Sequence, residues 1–141
     1  MTARLVTFVV VLCLLGATSC TKNGANRPLH EGVTVCGTLV DENQQPVTST
    51  FVELHESAKD LGSRYQVGRV DASGQFMVQT VKPGHYWLGI AGKGKCTTDS
   101  RDEREARRIP VTVPDVPSGT ECQTQWQVVQ DASCKLSVSA N

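Results

Sequence analysis

From Val33 onward the chain never runs far between turn signals, and this spacing constrains its fold more than any other feature. Asp71-Ala72-Ser73-Gly74 and Pro83-Gly84 bracket one short run, QFMVQTV (75–81), and HYWLGI (85–90) follows at once. Asp and Ser side chains satisfy backbone groups locally, Gly accepts a positive φ, and Pro pre-sets the first turn dihedral, so each cluster predicts a chain reversal. The runs between them alternate. A period of two puts Phe76 and Val78 inward, and sets Tyr86, Leu88 and Ile90 on the face opposite His85 and Trp87.

The same reading extends along the chain. VTVCGTLVD (33–41), STFVELHE (49–56), RYQVGRV (64–70), IPVTVPDV (109–116), CQTQWQVVQ (122–130) and CKLSVSA (134–140) read as further strands. In 49–56, Val52 and Leu54 share one face and Phe51, Glu53 and His55 the other. The prolines of 109–116 suit an edge strand, where a missing backbone donor costs least. Residues 91–108 are Gly-rich and then densely charged. Ser100 could cap a helical turn there, but the mixed charge predicts a solvated loop. Seven to eight short strands and no long helix predict an all-β fold, a single antiparallel β-sandwich. No repeat of 20–50 residues interrupts it, and 141 residues suit one such domain. Aromatics make up only 5% of the chain, so the core is expected to be thin and built mainly of Val, Leu and Ile.

Residues 1–32 have another character. Arg4 precedes a nearly unbroken apolar run, LVTFVVVLCLLG (5–16), too short to span a bilayer as a helix and suited to the core of a secretory signal peptide. Ala17 and Ser19 are small, which predicts cleavage before Cys20 and a signal peptide of residues 1–19. ATSC (17–20) also resembles the bacterial lipobox, with Ala17 where Leu is usual. That resemblance implies acylation of Cys20. Residues 20–32 then read as a lipidated Cys and a polar tether, and 33–141 as the folded domain. Thr21 and Lys22, with no Asp beside Cys20, imply the outer membrane by resemblance to Gram-negative sorting rules.

Cysteine parity bears on the anchor. Of the six Cys, Cys13 leaves with the signal. A lipidated Cys20 leaves Cys36, Cys96, Cys122 and Cys134, an even set for disulfides in an oxidising compartment. An unlipidated Cys20 would leave an odd thiol in a secreted protein. Four Cys allow three connectivities. Cys122 and Cys134 flank a strand of about 27 Å, which disfavours their direct union. The expectation leans to Cys96–Cys122 with Cys36–Cys134.

The run 35–90 resembles a carboxypeptidase regulatory-like domain, a transthyretin-like β-sandwich. The resemblance rests on Gly37, Val40, Asp41, Pro46 and Val47; on Val52-Glu53-Leu54; on Asp71, Gly74 and Phe76; and on Val81, Pro83, Gly84, Tyr86 and Leu88. Gln44 or Gln45 stands where that family usually has Gly. The resemblance implies a structural or binding module in the cell envelope.

Charge and motifs narrow the chemistry. Removing 1–19 takes Arg4 from the 14 basic residues and none of the 14 acidic ones, leaving a balance too even for a nucleic-acid partner. His30, His55 and His85 fall in no HxH or HExxH spacing, and no CxxC exists, so no metal or other cofactor is expected. A lone His30 in a tether is a solvated side chain. There is no GxSxG, and GKGKC (92–96) lacks the Walker spacing, so no enzyme is expected. The sharpest candidate is an outward surface of Phe51, Glu53, His55, His85 and Trp87, able to stack on a sugar ring or a peptide. The expected protein is a non-enzymatic, lipid-anchored envelope module with a membrane contact and an envelope protein, glycan or peptide partner. The alternative is a secreted, unlipidated binding domain that uses the Trp87 face.

Overall fold

The computed structural model describes residues 32–59, 64–117 and 121–140. The signal segment 1–19, Cys20, His30 and the tether up to residue 31 lie outside the described residues. Among those described, the order is β1 (Val33–Asp41), β2 (Thr50–His55), β3 (Tyr65–Arg69), β4 (Gln75–Val81), β5 (Gly84–Gly92), α1 (Arg101–Ala106), β6 (Ile109–Val113), β7 (Cys122–Gln130) and β8 (Leu136–Ala140). The strands form two sheets, β4-β1-β7-β8 and β3-β2-β5-β6, in a sandwich-like arrangement.

Alternation builds the core as expected. Val33, Val35, Leu39, Phe76, Val78, Trp126 and Val128 come from the first sheet, and Val52, Leu54, Tyr86, Leu88 and Val113 from the second; all are buried in one cluster. Gly37 occupies the inward position between Val35 and Leu39. A Cβ there would lie 2.3 Å from the Trp126 carbonyl oxygen and 2.6 Å from the Phe76 ring, so the missing side chain makes room for the backbone of β7 and the Phe76 ring. Tyr86 is buried while its O–H donates to the Lys82 carbonyl at 2.8 Å, which satisfies its polar tip. Pro110 lies in β6, the edge strand beside β5, as its missing N–H requires.

Three expectations need correction. The sheets are not wholly antiparallel, because β1 and β7 pair in parallel from Thr34↔Cys122 to Asp41↔Gln130. The cause is topological. Val33 pairs with Val81, and Gly84 with Val113, so β1 begins at the same end of the molecule at which β6 finishes. The chain crosses between sheets at that end and enters β7 running with β1. A register shift between Thr34 and Val35 absorbs Gln123, whose Oε1 accepts from the Thr34 N–H at 3.0 Å.

The disulfides follow from this register. They are Cys36–Cys122, with Cα atoms 5.5 Å apart, and Cys96–Cys134, at 5.3 Å. The expected pairs Cys96–Cys122 and Cys36–Cys134 are therefore wrong. Parallel entry of β7 places Cys122 beside β1, and the length of β7 carries Cys134 to the opposite end. The third correction is α1, where a loop was expected. Ser100 caps it by accepting from the Glu103 N–H, Asp102 and Glu103 sit in its first turn, and Arg101 Nε pairs with Glu105 Oε1 at 3.0 Å. One short helix is marginal alone. Here Arg104 and Arg107 fasten it by donating to the carbonyls of Thr98, Asp99 and Cys96.

Candidate functional site

The pairing of β2 with β3 and β5 assembles one outward face. Phe51, Glu53 and His55 stand opposite Arg69, Val67 and Tyr65 on one side, and opposite Ala91, Gly89 and Trp87 on the other. The predicted surface thus shares a face, but its members have different surroundings. Phe51 is exposed, and Trp87 is half-buried in register with His55 and Pro110. His85 is exposed and turned to the β6 side, where Nδ1 and the Thr112 hydroxyl are 3.1 Å apart.

His55 corrects the simple picture of an outward, solvated side chain. It points outward and is only 3% exposed. The Tyr65 ring stacks on it, with centroids 5.0 Å apart and planes 25° from parallel. His55 Nε2 lies 2.8 Å from Glu53 Oε2. The two residues are separated by one position on β2, so strand geometry alone puts them on the same face within reach.

Beside them runs a cleft of about 400 Å³ that Glu53, His55, Tyr65, Thr98, Arg104 and Arg108 help to line. Arg108 is the residue that sequence reading missed most completely, since nothing distinguishes it within the charged run that precedes β6. It is only 7% exposed. Its side chain lies over Gly89, where an added Cβ would stand 3.3 Å from Arg108 Cγ. Its Nη1 donates to the Ala58 carbonyl at 3.1 Å. Gly89 therefore provides the floor across which a buried guanidinium crosses the sheet. Tyr65 could have been found from the alternation of β3 had the β2–β3 register been known.

No family model matches this chain, and no curated protein matches it.

The chemistry of the cleft comes from its own groups. Glu53 shares one carboxylate oxygen with His55, and Oε1 takes no hydrogen bond from the described residues. Arg104 donates through Nη1 to the Thr98 and Asp99 carbonyls, at 3.2 and 3.0 Å, and its Nε and Nη2 donors meet no acceptor among the described residues. A second recess of similar volume lies near Cys36–Cys122 and includes Asp71. Asp71 is already committed there: its Oδ1 accepts from Ser73 N, Ser73 Oγ and Gln75 N. Among the described residues no group of three or more His, Cys, Asp or Glu is placed to hold a metal ion. No described helix is long and apolar enough to cross a membrane.

Proposed function

We propose that this chain is an exported lipoprotein, anchored through acylated Cys20, whose folded part is a non-enzymatic binding module of the cell envelope at the outer membrane. The carboxypeptidase regulatory-like, transthyretin-like fold is part of this reading. It is supported by Phe76 and Tyr86 in the core and by the reversals at Asp71–Gly74 and Pro83-Gly84.

The observation that carries the proposal is the complete pairing of Cys36, Cys96, Cys122 and Cys134. Two disulfides are compatible with an extracytoplasmic location, since thiols stay reduced in the cytosol. Once Cys13 leaves with the signal, Cys20 is the one Cys outside this set. Acylation gives it a use. Each buried methylene contributes about 0.8 kcal/mol, so the two chains of a diacylglyceryl group suffice for stable attachment. The cleft beside Glu53 and Tyr65 supports a binding role.

Mass spectrometry of the mature N-terminal peptide from the native membrane fraction tests the anchor. A diacylglyceryl-modified Cys20 is expected. A peptide beginning at an unmodified Cys20, or an uncleaved leader, overturns it.

A further inference from the structure

We propose that the cleft on the outer face of the β3-β2-β5-β6 sheet is a saccharide-binding site, with Tyr65 as its ring wall and Glu53 and Arg104 as partners for ligand hydroxyls. This deepens the binding role proposed above and names its ligand class. The charges in the cleft are balanced and mostly engaged. Glu53 and Asp99 stand against Arg104 and Arg108 in one small cleft, with His55 among them. No sign dominates, which disfavours a simple anion or cation. The charges are also largely spent: Glu53 is joined to His55, and Arg108 is buried and bound to the Ala58 carbonyl. An ionic ligand that sought Arg108 or both oxygens of Glu53 would have to displace contacts already made.

A hydroxyl needs no displacement. It can donate to Glu53 Oε1 and accept from Arg104 Nε or Nη2, and adjacent hydroxyls on one ring can do both. Planar carboxylate and guanidinium groups present paired acceptors and donors at the spacing such hydroxyls require. Tyr65 adds an aromatic wall to the cleft. One face of its ring is covered by His55, yet the residue is 54% exposed, so the aromatic surface is held in place and open. Ordered aromatic surface of this kind suits the apolar C–H face of a pyranose and costs little conformational entropy on binding. A cleft of about 400 Å³ accommodates one or two sugar rings.

β1 begins at the end where β4 finishes, since Val33 pairs with Val81. The cleft extends from mid-sheet toward Gly92, at the other end of β5, where Gly92 pairs with Thr50. The site therefore opens toward the end of the domain opposite Val33.

The mature full-length protein, titrated with maltose, cellobiose, chitobiose and lactose under ligand-observed NMR and calorimetry, tests the site. At least one disaccharide is expected to bind. Tyr65→Ala should weaken it by tenfold or more, Glu53→Gln by a smaller factor, and Tyr65→Phe little. Met77→Ala, on the other sheet, should leave affinity unchanged. Absence of binding by all four sugars overturns the proposal. So does affinity indifferent to Tyr65→Ala in a protein whose circular dichroism is unchanged, or preference for the zwitterion glycylglycine over every sugar. A bare Cys20 would remove the anchor and leave sugar binding intact, so the two readings fail separately.

Discussion

At the end where β1 begins, Cys36–Cys122 joins neighbouring strands of one sheet; at the opposite end, Cys96–Cys134 joins the β5–β6 connection of one sheet to the β7–β8 turn of the other. The turns differ as well. The first end carries Pro83 and the Tyr86–Lys82 hydrogen bond. The second is built from three turns of one design, starting at Asp41, Asp71 and Asp131. In each, the aspartate N–H donates to the carbonyl four residues on, and the residue three on donates back to the aspartate carbonyl. The carboxylate Oδ1 accepts from the N–H groups two and four residues on. The fourth residue has a positive φ: Gln44 at 62°, Gly74 at 81° and Cys134 at 65°. One end is thus held by a bond within a sheet, while the other is held by carboxylates and a bond between sheets. The cleft extends toward the second.

The largest expected break is removal of a disulfide. The bridges span 86 and 38 residues. Chain entropy alone then assigns about 4.6 and 3.9 kcal/mol, a difference too small to separate them by stability. Function should separate them. Cys36→Ala with Cys122→Ala should lower the unfolding free energy in urea by about 4 kcal/mol and leave the cleft as it is. Cys96→Ala with Cys134→Ala should cost a similar amount and also speed amide exchange through 93–108, because it frees the segment that carries Arg104 and Arg108. Equal exchange in the two variants would erase the proposed division between the ends.

A smaller effect is expected from Gly37→Ala, which forces a methyl group against Trp126 and Phe76. It should destabilise by roughly 1–3 kcal/mol and alter the Trp126 fluorescence. Gln44→Gly should do the reverse. It relieves a non-glycine residue at positive φ, for a gain of about 0.5–1 kcal/mol reduced by the added freedom of the unfolded chain.

The subtlest prediction is opposite pH sensitivity. Hydrogen bonds from the Ser73 side chain and the Gln75 N–H hold the Asp71 carboxyl below its ordinary range, and Ser133 and Lys135 do the same for Asp131. A carboxyl depressed on folding contributes stability above its unfolded value, and that contribution is lost as pH falls through the folded one. Burial, followed by the charge of Glu56, pushes Tyr86 up. Its contribution is complete below the unfolded value near 10 and disappears as pH rises through the folded value. Acid should therefore loosen the Asp71 and Asp131 turns first, and alkali the Tyr86–Lys82 contact, as read by residue-resolved hydrogen exchange. Asp71→Asn and Asp131→Asn should blunt the acid response only.

Much of this was legible in the sequence, where local chemistry decides it. Asp71–Gly74 announces itself through Gly, and the inward Phe76, Tyr86 and Leu88 follow from alternation. The sister turns were obscured, since Gln44 and Cys134 hold the position at which Gly would signal a positive φ. Disulfide connectivity depended on the parallel β1–β7 pairing, which arises from the path through all of β2 to β6. The outward direction of Glu53 and His55 was readable. Burial of His55 was not, because Tyr65 and the residues 97–108 come from other parts of the chain. Arg108 lies close over Gly89, where an added Cβ would stand 3.3 Å from its Cγ, a contact that comes from pairing elements far apart in the chain.

Peptide mapping of the unreduced native protein tests this arrangement most directly. Cross-linked peptides joining Cys36 to Cys122 and Cys96 to Cys134 are the predicted result. Peptides joining Cys36 to Cys134 and Cys96 to Cys122, or four free thiols, would contradict the parallel entry of β7 and the division between the two ends.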